Sequence, residues 1–515
     1  MKKNCLILIF LIFLIKVTGQ NNINVSNGFV FDGEPYLVIN PNNANHITIA
    51  WMGWKENENL VIKTKTSFDG GNTWSSVSTL PHIVEYFTSA DPTMAYGNDN
   101  TIYLAFIDYN YQYLSSPEGG IYLYSSNNGG LDWNFVSKVM DANDDTTKFP
   151  IDRPWLSTDT SGNIFITSTN AKGASPPYHP YLSISNDFGT TFTWKYIDTT
   201  NWLVGELIPQ PMPTNCISKD GTLYIAYPSY LPTQNIFPRY ILAKTSDYGS
   251  SFEYNTMFNI FSALNDTLVK KSHLILSNPS NPQHLVFLYL TKEFGDIDVA
   301  LGESYDKGQN WTPPIRINDD TQGNKKIQDL IWADFDADGD LVIAWRDRRN
   351  GTDTTYTTGY EIYATYRKNG NSTFVPNFPI SDTIIQYHSI LSQSGNDFMC
   401  IKVLNDTTYA VWGDTRNGKL NIWLSKFIIN NQQSFQQIKV NEEPIIYPIP
   451  TNKDKIYFKN IKPKFYEILS LDGNVIRKKH IYDNSISIKG LKKGIYILKL
   501  TCHNEKTFIR KILIR

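Results

Sequence analysis

Ser67-Phe68-Asp69-Gly70-Gly71-Asn72-Thr73-Trp74 decides the fold of this chain, because the same pattern returns four more times. The later copies run from Ser126 to Trp133, Ser185 to Phe192, Thr245 to Phe252 and Ser304 to Trp311. Their closing aromatics are spaced 59, 59, 60 and 59 residues apart. A fixed period of this length signals a repeat architecture. Each copy reads as a tight hairpin. Its Asp accepts hydrogen bonds from backbone N–H groups of its own turn. Its Gly supplies a positive φ, and its Ser or Thr hydroxyl satisfies another backbone group. The closing Trp or Phe packs into the sheet, so these Asp residues read as structural rather than catalytic.

A second repeat runs in phase with the first. Glu34-Pro35-Tyr36 precedes a run ending Ile49-Ala50-Trp51, Asp91-Pro92 precedes Ile102–Phe106, and Asp152-Arg153-Pro154-Trp155 precedes Ile164–Thr167. Later runs are Leu223–Tyr227, Leu285–Tyr289, Leu341–Trp345 and Thr408–Trp412. They are rich in β-branched and aromatic residues and are bounded by Asn, Asp, Gly and Pro, so they read as strands. Seven units result, about 28–82, 85–140, 148–200, 205–260, 268–318, 326–382 and 394–435. The first five carry the turn motif, the sixth keeps a remnant at Asn369–Phe374, and the seventh has none. A ring of such units leaves few free sheet edges.

The motif S/T-x-D-x-G-x-T-W/F resembles the Asp-box, or BNR repeat, of the sialidase-like β-propellers. The resemblance implies an all-β chain with a β-propeller over residues 21–440. Seven units predict seven blades, whereas six blades, the alternative, is the number in the sialidase fold proper. In the resembling families the boxes lie on the hairpin between the two outer strands, on the face opposite the binding site.

Residues 1–20 have two early Lys, an apolar run and a small polar exit near Thr18-Gly19, the form of a secretory signal peptide. No later stretch is apolar enough to span a bilayer. Cys216, Cys400 and Cys502 remain after it, an odd and sparse set that reads as three buried thiols rather than a disulfide framework. Residues 441–515 carry 16 Lys and Arg against 7 Asp and Glu, whereas 21–440 carry 28 against 42. An acidic propeller argues against nucleic acid as partner. It suits neutral glycans and bound cations, and the reading is of a monomer.

The basic tail is a separate module. It contains Tyr447-Pro448-Ile449-Pro450, an Asp472-Gly473 turn, the strand Gly494-Ile495-Tyr496-Ile497-Leu498-Lys499 and a closing run from Lys506 to Arg515. From alternation alone it is a small antiparallel β-sandwich. It is similar to the C-terminal sorting domain of the type IX secretion system. That resemblance implies export across the outer membrane of a Bacteroidetes-type cell, with the type IX machinery as partner.

Two features fall on the face opposite the boxes. The first is the polar set before Pro: Glu34, Asp91, Asp152 and Arg153. Paired carboxylates suit acid–base work on glycosidic bonds. They suit a structural Ca²⁺ equally, and local capping of a strand start is the plainer alternative. The second is a duplicated hairpin, Trp345-Arg346-Asp347-Arg348-Arg349-Asn350-Gly351 and Trp412-Gly413-Asp414-Thr415-Arg416-Asn417-Gly418. Its Asn-Gly ending predicts a type I′ turn. Its Asp and Arg either brace that turn or reach a ligand, since Arg binds carboxylates bidentately. In the second case Arg153, Arg416 and one of Arg346, Arg348 and Arg349 face one point, as the sialidase resemblance requires.

The chain departs from that family at its catalytic set. The first family arginine has Glu34-Pro35-Tyr36 in its place. The nucleophile-activating Glu is missing before Asp220-Gly221, and Tyr227-Pro228 stands where the second arginine belongs. Glu206 and Arg239 lie nearby but out of phase. The expected function is therefore glycan recognition at the top face. A glycoside hydrolase using Asp152, Arg153, Arg346, Asp347, Asp414 and Arg416, or an adhesion propeller that binds protein, are the alternatives.

Overall fold

The computed structural model describes residues 22–515 apart from 56–58, 111–117, 146–150, 171–178, 199–211, 231–237, 261–271, 390–395, 430–444, 448–450, 452–453, 460–462, 482–484 and 503–506. The expected signal peptide lies outside the described residues, as do Glu206 and the Tyr-Pro-Ile-Pro segment from Pro448 on. The chain divides into one unit ending at Gln433 and a second from Ser434 to Arg515.

In the first unit the described residues form seven four-stranded antiparallel sheets. Their innermost strands are Asp32–Asn40, Thr88–Tyr96, Ile151–Thr158, Thr214–Ile217, His273–Ser277, Gln328–Phe335 and Cys400–Leu404. Each packs against the innermost strand of the next sheet, and the seventh packs back on the first. The ring is thus a propeller whose blades match the seven sequence units. Second strands are buried along nearly their whole length, which is why they read as continuous apolar runs rather than alternating ones.

The seventh blade takes its outermost strand from the other end of the chain. Ile23–Asn24 pairs with Asn421–Ile428, Ile23 lying opposite Leu424. Val25 N–H then donates to Ile422 O at 2.9 Å, and the Val25 side chain is buried. The sequence reading placed the whole blade within 394–435 and missed this strand, because two residues cannot show a period.

Four of the five turn motifs share one hydrogen-bond pattern, and in the second Asn128 stands in place of the Asp and donates to Asp132 Oδ2. In the first, Ser67 Oγ accepts Gly71 N–H at 2.8 Å and donates to Asp69 Oδ1 at 2.8 Å. Asp69 Oδ1 accepts Thr73 N–H, and its Oδ2 accepts the Thr73 hydroxyl at 2.6 Å. Those hydroxyl and N–H donors hold the Asp69 carboxyl at about 2. Gly71 sits at φ +90°, where a side chain would be strained.

The turns also join blades. Gly70 O of the first accepts Lys426 Nζ from the seventh blade, and Gly129 O of the second accepts His46 Nε2, Thr48 and Thr66 from the first. Gly189, Gly249 and Gly308 carbonyls accept Ser137, Lys195 and Asn255 from the blade before. The sixth and seventh blades lack the motif and use charge at the same seams. Arg367 binds Glu303 of the fifth blade, Lys368 binds Asp406 of the seventh, and Lys402 reaches back to Asp334.

The C-terminal unit is a sandwich of a three-stranded and a four-stranded sheet. Ile456, Phe458 and Ile486 of the first face Tyr466, Ile468, Leu498, Leu500 and Ile512 of the second across one core.

Candidate functional site

Four of the seven innermost strands begin with an irregularity. The register breaks between Gly33 and Tyr36, Ala90 and Thr93, Asp152 and Trp155, and Asp329 and Trp332. At each break one residue takes a left-handed backbone: Glu34 at φ 52°, Asp91 at 54°, Arg153 at 54° and Leu330 at 55°. Bulges of this kind re-aim a side chain. A non-glycine residue held there costs about 1–3 kcal/mol, and such strain concentrates at binding sites. Three successive blades place a charged side chain at this strained position.

These side chains meet. Arg153 N–H donates to Asp152 Oδ1 at 3.0 Å and to Asp91 Oδ2 at 3.3 Å. Arg153 Nη2 donates to Asp397 Oδ2 at 2.7 Å, and Asp397 N–H donates to Glu34 Oε1 at 3.4 Å. Asp91 also shares side-chain hydrogen bonds with Glu34 on one side and Asp152 on the other. Four carboxyl groups therefore surround one guanidinium. Burial first, and then the neighbouring Glu34 charge, push the Asp91 carboxyl well above its usual range. Burial and the Asp91 charge do the same to Asp152. Both carboxyls are thus harder to ionise than a free aspartate, as like-charged groups sharing a buried site are.

Two residues further along the same strands, aromatic rings close the channel. Trp155 of the third blade stacks on Trp332 of the sixth with centroids 5.0 Å apart. Tyr36 of the first meets Trp332 edge-on at 5.6 Å, and Phe398 of the seventh lies 6.4 Å from Trp155. The mouth is thus a polar cup with an aromatic floor. Arg153 also lies over the Phe398 ring at 5.8 Å, and its Nη1 lies 4.0 Å from Met212 Sδ.

The duplicated hairpin is braced by its own blades and by the segments beside them. Trp345 Nε1 donates to Asp347 Oδ2 at 2.7 Å, and Trp412 Nε1 to Asp414 Oδ2 at 3.0 Å. Arg349 and Arg416 bond those same carboxylates and lie flat over Tyr363 and Trp423, each at 4.2 Å. Arg349 binds Asp319 as well, and Arg416 binds Asp382 and Asn22. Arg346 and Arg348 are buried and converge on Asp329, with Tyr356 OH on the same carboxylate. None of these four guanidiniums shares a hydrogen-bond partner with Arg153 among the described contacts, so the expected three-arginine convergence is not what the hydrogen bonds build. The predicted type I′ turns are also absent. Neither Asn350 nor Asn417 has a positive φ. Asp347 and Asp414 instead capture the N–H two residues on, at 2.7 and 2.8 Å, which pins an earlier turn closed by Arg348 O and Thr415 O.

Sequence reasoning brought together Glu34, Asp91, Asp152 and Arg153 and missed Asp397, the acid that holds Arg153. Asp397 stands one residue before Phe398, in phase with Asp152 and Asp329, and that alignment was the available signal. Arg239 is half-buried at the start of the third strand of its blade. Of the three cysteines, Cys400 is buried and Cys216 and Cys502 are only partly so, and none forms a disulfide among the described residues.

No curated protein matches the chain in sequence. Among solved structures, a protein of unknown function from Dyadobacter fermentans is 15% identical, with TM-score 0.43 over 67% of this chain and 98% of that one. The Hadza microbial sialidase Hz136 is 12% identical, with TM-score 0.44 over 74% and 76%. The α-L-arabinanase of Penicillium chrysogenum, solved with arabinobiose, is 14% identical, with TM-score 0.45 over 80% and 98%. Among the described residues no helix is long and apolar enough to cross a membrane. Residues 445–515 match the secretion system C-terminal sorting domain, so the chain carries a type IX sorting tail and is exported to the cell surface or released.

Proposed function

We propose that the cup at the propeller mouth binds a neutral glycan and does not cleave it. The observation that carries this reading is the contact among the carboxyls themselves. Asp91 lies within hydrogen-bond reach of Glu34 on one side and Asp152 on the other. A glycosidase pair needs about 5–5.5 Å or 6.5–9.5 Å between its carboxyls, to admit the sugar oxygen or the attacking water. A cluster of carboxyls beside a guanidinium and an aromatic floor offers acceptors, donors and a stacking face, which is what a hydroxyl-rich ring requires. Asp397 already occupies Arg153, and the cup's acid excess disfavours an anionic sugar.

A glycan array probed with the full chain tests the proposal. Retention on neutral glycans, lost in Arg153→Ala and without product in a parallel hydrolysis assay, is the expected result. Turnover abolished by Asp152→Asn would replace the binding reading with the hydrolase. Retention unchanged in Arg153→Ala would move the ligand away from the cup.

A further inference from the structure

Between the fifth and sixth blades, on the face that carries the cup, two loops meet. The hairpin Thr291–Asp298 brings Gly295 against Gly323, whose Cα lies 3.2 Å from where a Gly295 side chain would start. Gln328 N–H donates to Ile297 O at 3.0 Å, so Gln328 stands beside the residue flanked by Asp296 and Asp298. Asp298 Oδ1 accepts Arg316 Nε at 2.7 Å and Asn318 Nδ2 at 2.6 Å. The same Asn318 amide reaches Asp320 Oδ1 at 2.7 Å, and Asp320 Oδ2 accepts Gln328 Nε2 at 3.4 Å.

The network therefore links Asp298, Asp320 and Gln328 and orients each. What it leaves over is all of one kind. Asp296 Oδ1 and Oδ2, Asp298 Oδ2 and Gln328 Oε1 are buried acceptor oxygens with no hydrogen-bond donor. Asp296 is 8% exposed, and Asp298 and Gln328 are 0% exposed. Buried polar atoms are rarely left unsatisfied, and an orphan carboxylate is costly. Three carboxylates, Asp296, Asp298 and Asp320, stand against the single Arg316, an excess that one divalent cation balances. The orphan amide oxygen of Gln328 is independent of that charge count, since a neutral acceptor has no reason to go without a donor unless something else takes its lone pair.

We propose that this cluster is a site for a hard divalent cation, of the Ca²⁺ class, with Asp296, Asp298 Oδ2 and Gln328 Oε1 as side-chain ligands. Oxygen-only ligands of mixed charge are what such an ion selects. Its role is to pin the two loops beside the cup.

The contrasting acidic group is Asp336, Asp338 and Asp340, whose carboxylates lie close enough to share an ion. Asp336 is already taken by the N–H groups of Ala337, Asn405 and Asp406, and Asp340 by Lys368 and Asn369. It serves as the control.

Purified full chain, stripped with chelator, is titrated with Ca²⁺ and followed by thermal unfolding and by elemental analysis. The expected result is about one bound ion and a Tm rise of roughly 3 °C at Ca²⁺ a hundredfold above Kd. Asp296→Asn abolishes the rise while the stripped protein melts no lower than wild type, and Asp338→Asn keeps the rise. Gln328→Glu lowers the stripped Tm and enlarges the Ca²⁺ shift, a pattern that a purely hydrogen-bonding role would not give. No bound ion and no shift in wild type would overturn the proposal, as would a shift that survives Asp296→Asn or vanishes in Asp338→Asn.

Discussion

Arg153 donates its backbone N–H to the Asp91 carboxylate at 3.3 Å, while its side chain donates to Asp397 at 2.7 Å. One residue thus ties the third blade to the second and to the seventh across the channel mouth. The left-handed φ of Arg153 turns the N–H and the guanidinium toward different blades at once. The strained backbone and the converging charges are therefore one feature of the sequence Asp152-Arg153-Pro154.

The protons held by the cup make its stability depend on pH. Asp91 and Asp152 have folded values raised above the ordinary 3.8. Between that value and the raised one, the folded state binds more protons than the unfolded chain. The sign is that stability is fully present below about 4 and is lost as pH rises through the folded value. Asp91→Asn keeps the shape of the protonated acid and removes the loss. The difference in Tm, variant minus wild type, should grow as pH rises above about 4 until the folded value of Asp91 is passed. A flat difference over that range would mean that Asp91 is ionised in the folded protein.

Asp397 and Arg153 form a partly exposed pair, with side chains 21% and 17% exposed. An Asn at 397 still accepts a hydrogen bond from Arg153, and Asp152, Asp91 and Glu34 go on balancing its charge. Asp397→Asn should therefore leave Tm nearly unchanged. Its effect should appear in ligand binding, because it frees Arg153 and lowers the acid excess. Weaker retention of neutral glycans together with new retention of acidic ones is expected on the array. A fall in Tm of many degrees would assign the pair to the fold instead.

The parts of this architecture that were legible in the sequence are those with local period. The turn motifs announce themselves because Ser67, Asp69, Gly71 and Thr73 satisfy one another within seven residues. The cup was half legible, since Pro follows each of Glu34, Asp91 and Arg153, but Asp397 has no Pro after it. The hairpin arginines misled for a different reason. Their sequence context is the same whether the guanidinium reaches a ligand or its own blade. The deciding partners lie far along the chain, as with Asn22, 394 positions from Arg416. The closing strand Ile23–Asn24 is similarly silent, since its strand partner, Asn421–Ile428, lies at the far end of the ring's chain.

Ring closure should be measurable at Val25, which is buried and follows that strand. Val25→Ala removes about two buried carbon groups and should cost roughly 1–2 kcal/mol in denaturant unfolding. The m value should stay the same if the ring opens only as part of global unfolding. A reduced m with a separate early transition would show the seventh blade parting first.

The turn motifs give a sharper stability prediction. Ser185 Oγ accepts the buried Gly189 N–H at 2.8 Å and donates to Asp187 Oδ1 at 2.6 Å. Ser185→Ala leaves that N–H without an acceptor, at a cost of about 1–3 kcal/mol. Ser185→Thr keeps the hydroxyl, as Thr245 does in the fourth copy, and should recover most of the loss. Equal losses in both variants would argue that side-chain volume, rather than the hydrogen bond, matters at this position.

Arg346 separates bracing from recognition most cleanly. It binds Asp329 through Nε at 2.6 Å and Nη2 at 2.5 Å, with both side chains buried. Burial alone would raise the Asp329 carboxyl, but the Arg346 and Arg348 charges win and hold it well below its usual range. Its contribution to stability is therefore present above about 4 and is lost as pH falls. Arg346→Met takes two charge-assisted hydrogen bonds from this buried carboxylate, each worth about 1.5–3 kcal/mol, and leaves it paired with Arg348. Arg346→Met should unfold several degrees below wild type at pH 7, and the gap should narrow on acidification. Adding Asp329→Asn should deepen the loss, since the buried Arg348 then loses its carboxylate as well. If Arg346 instead served the ligand, Arg346→Met would lose glycan retention at unchanged Tm.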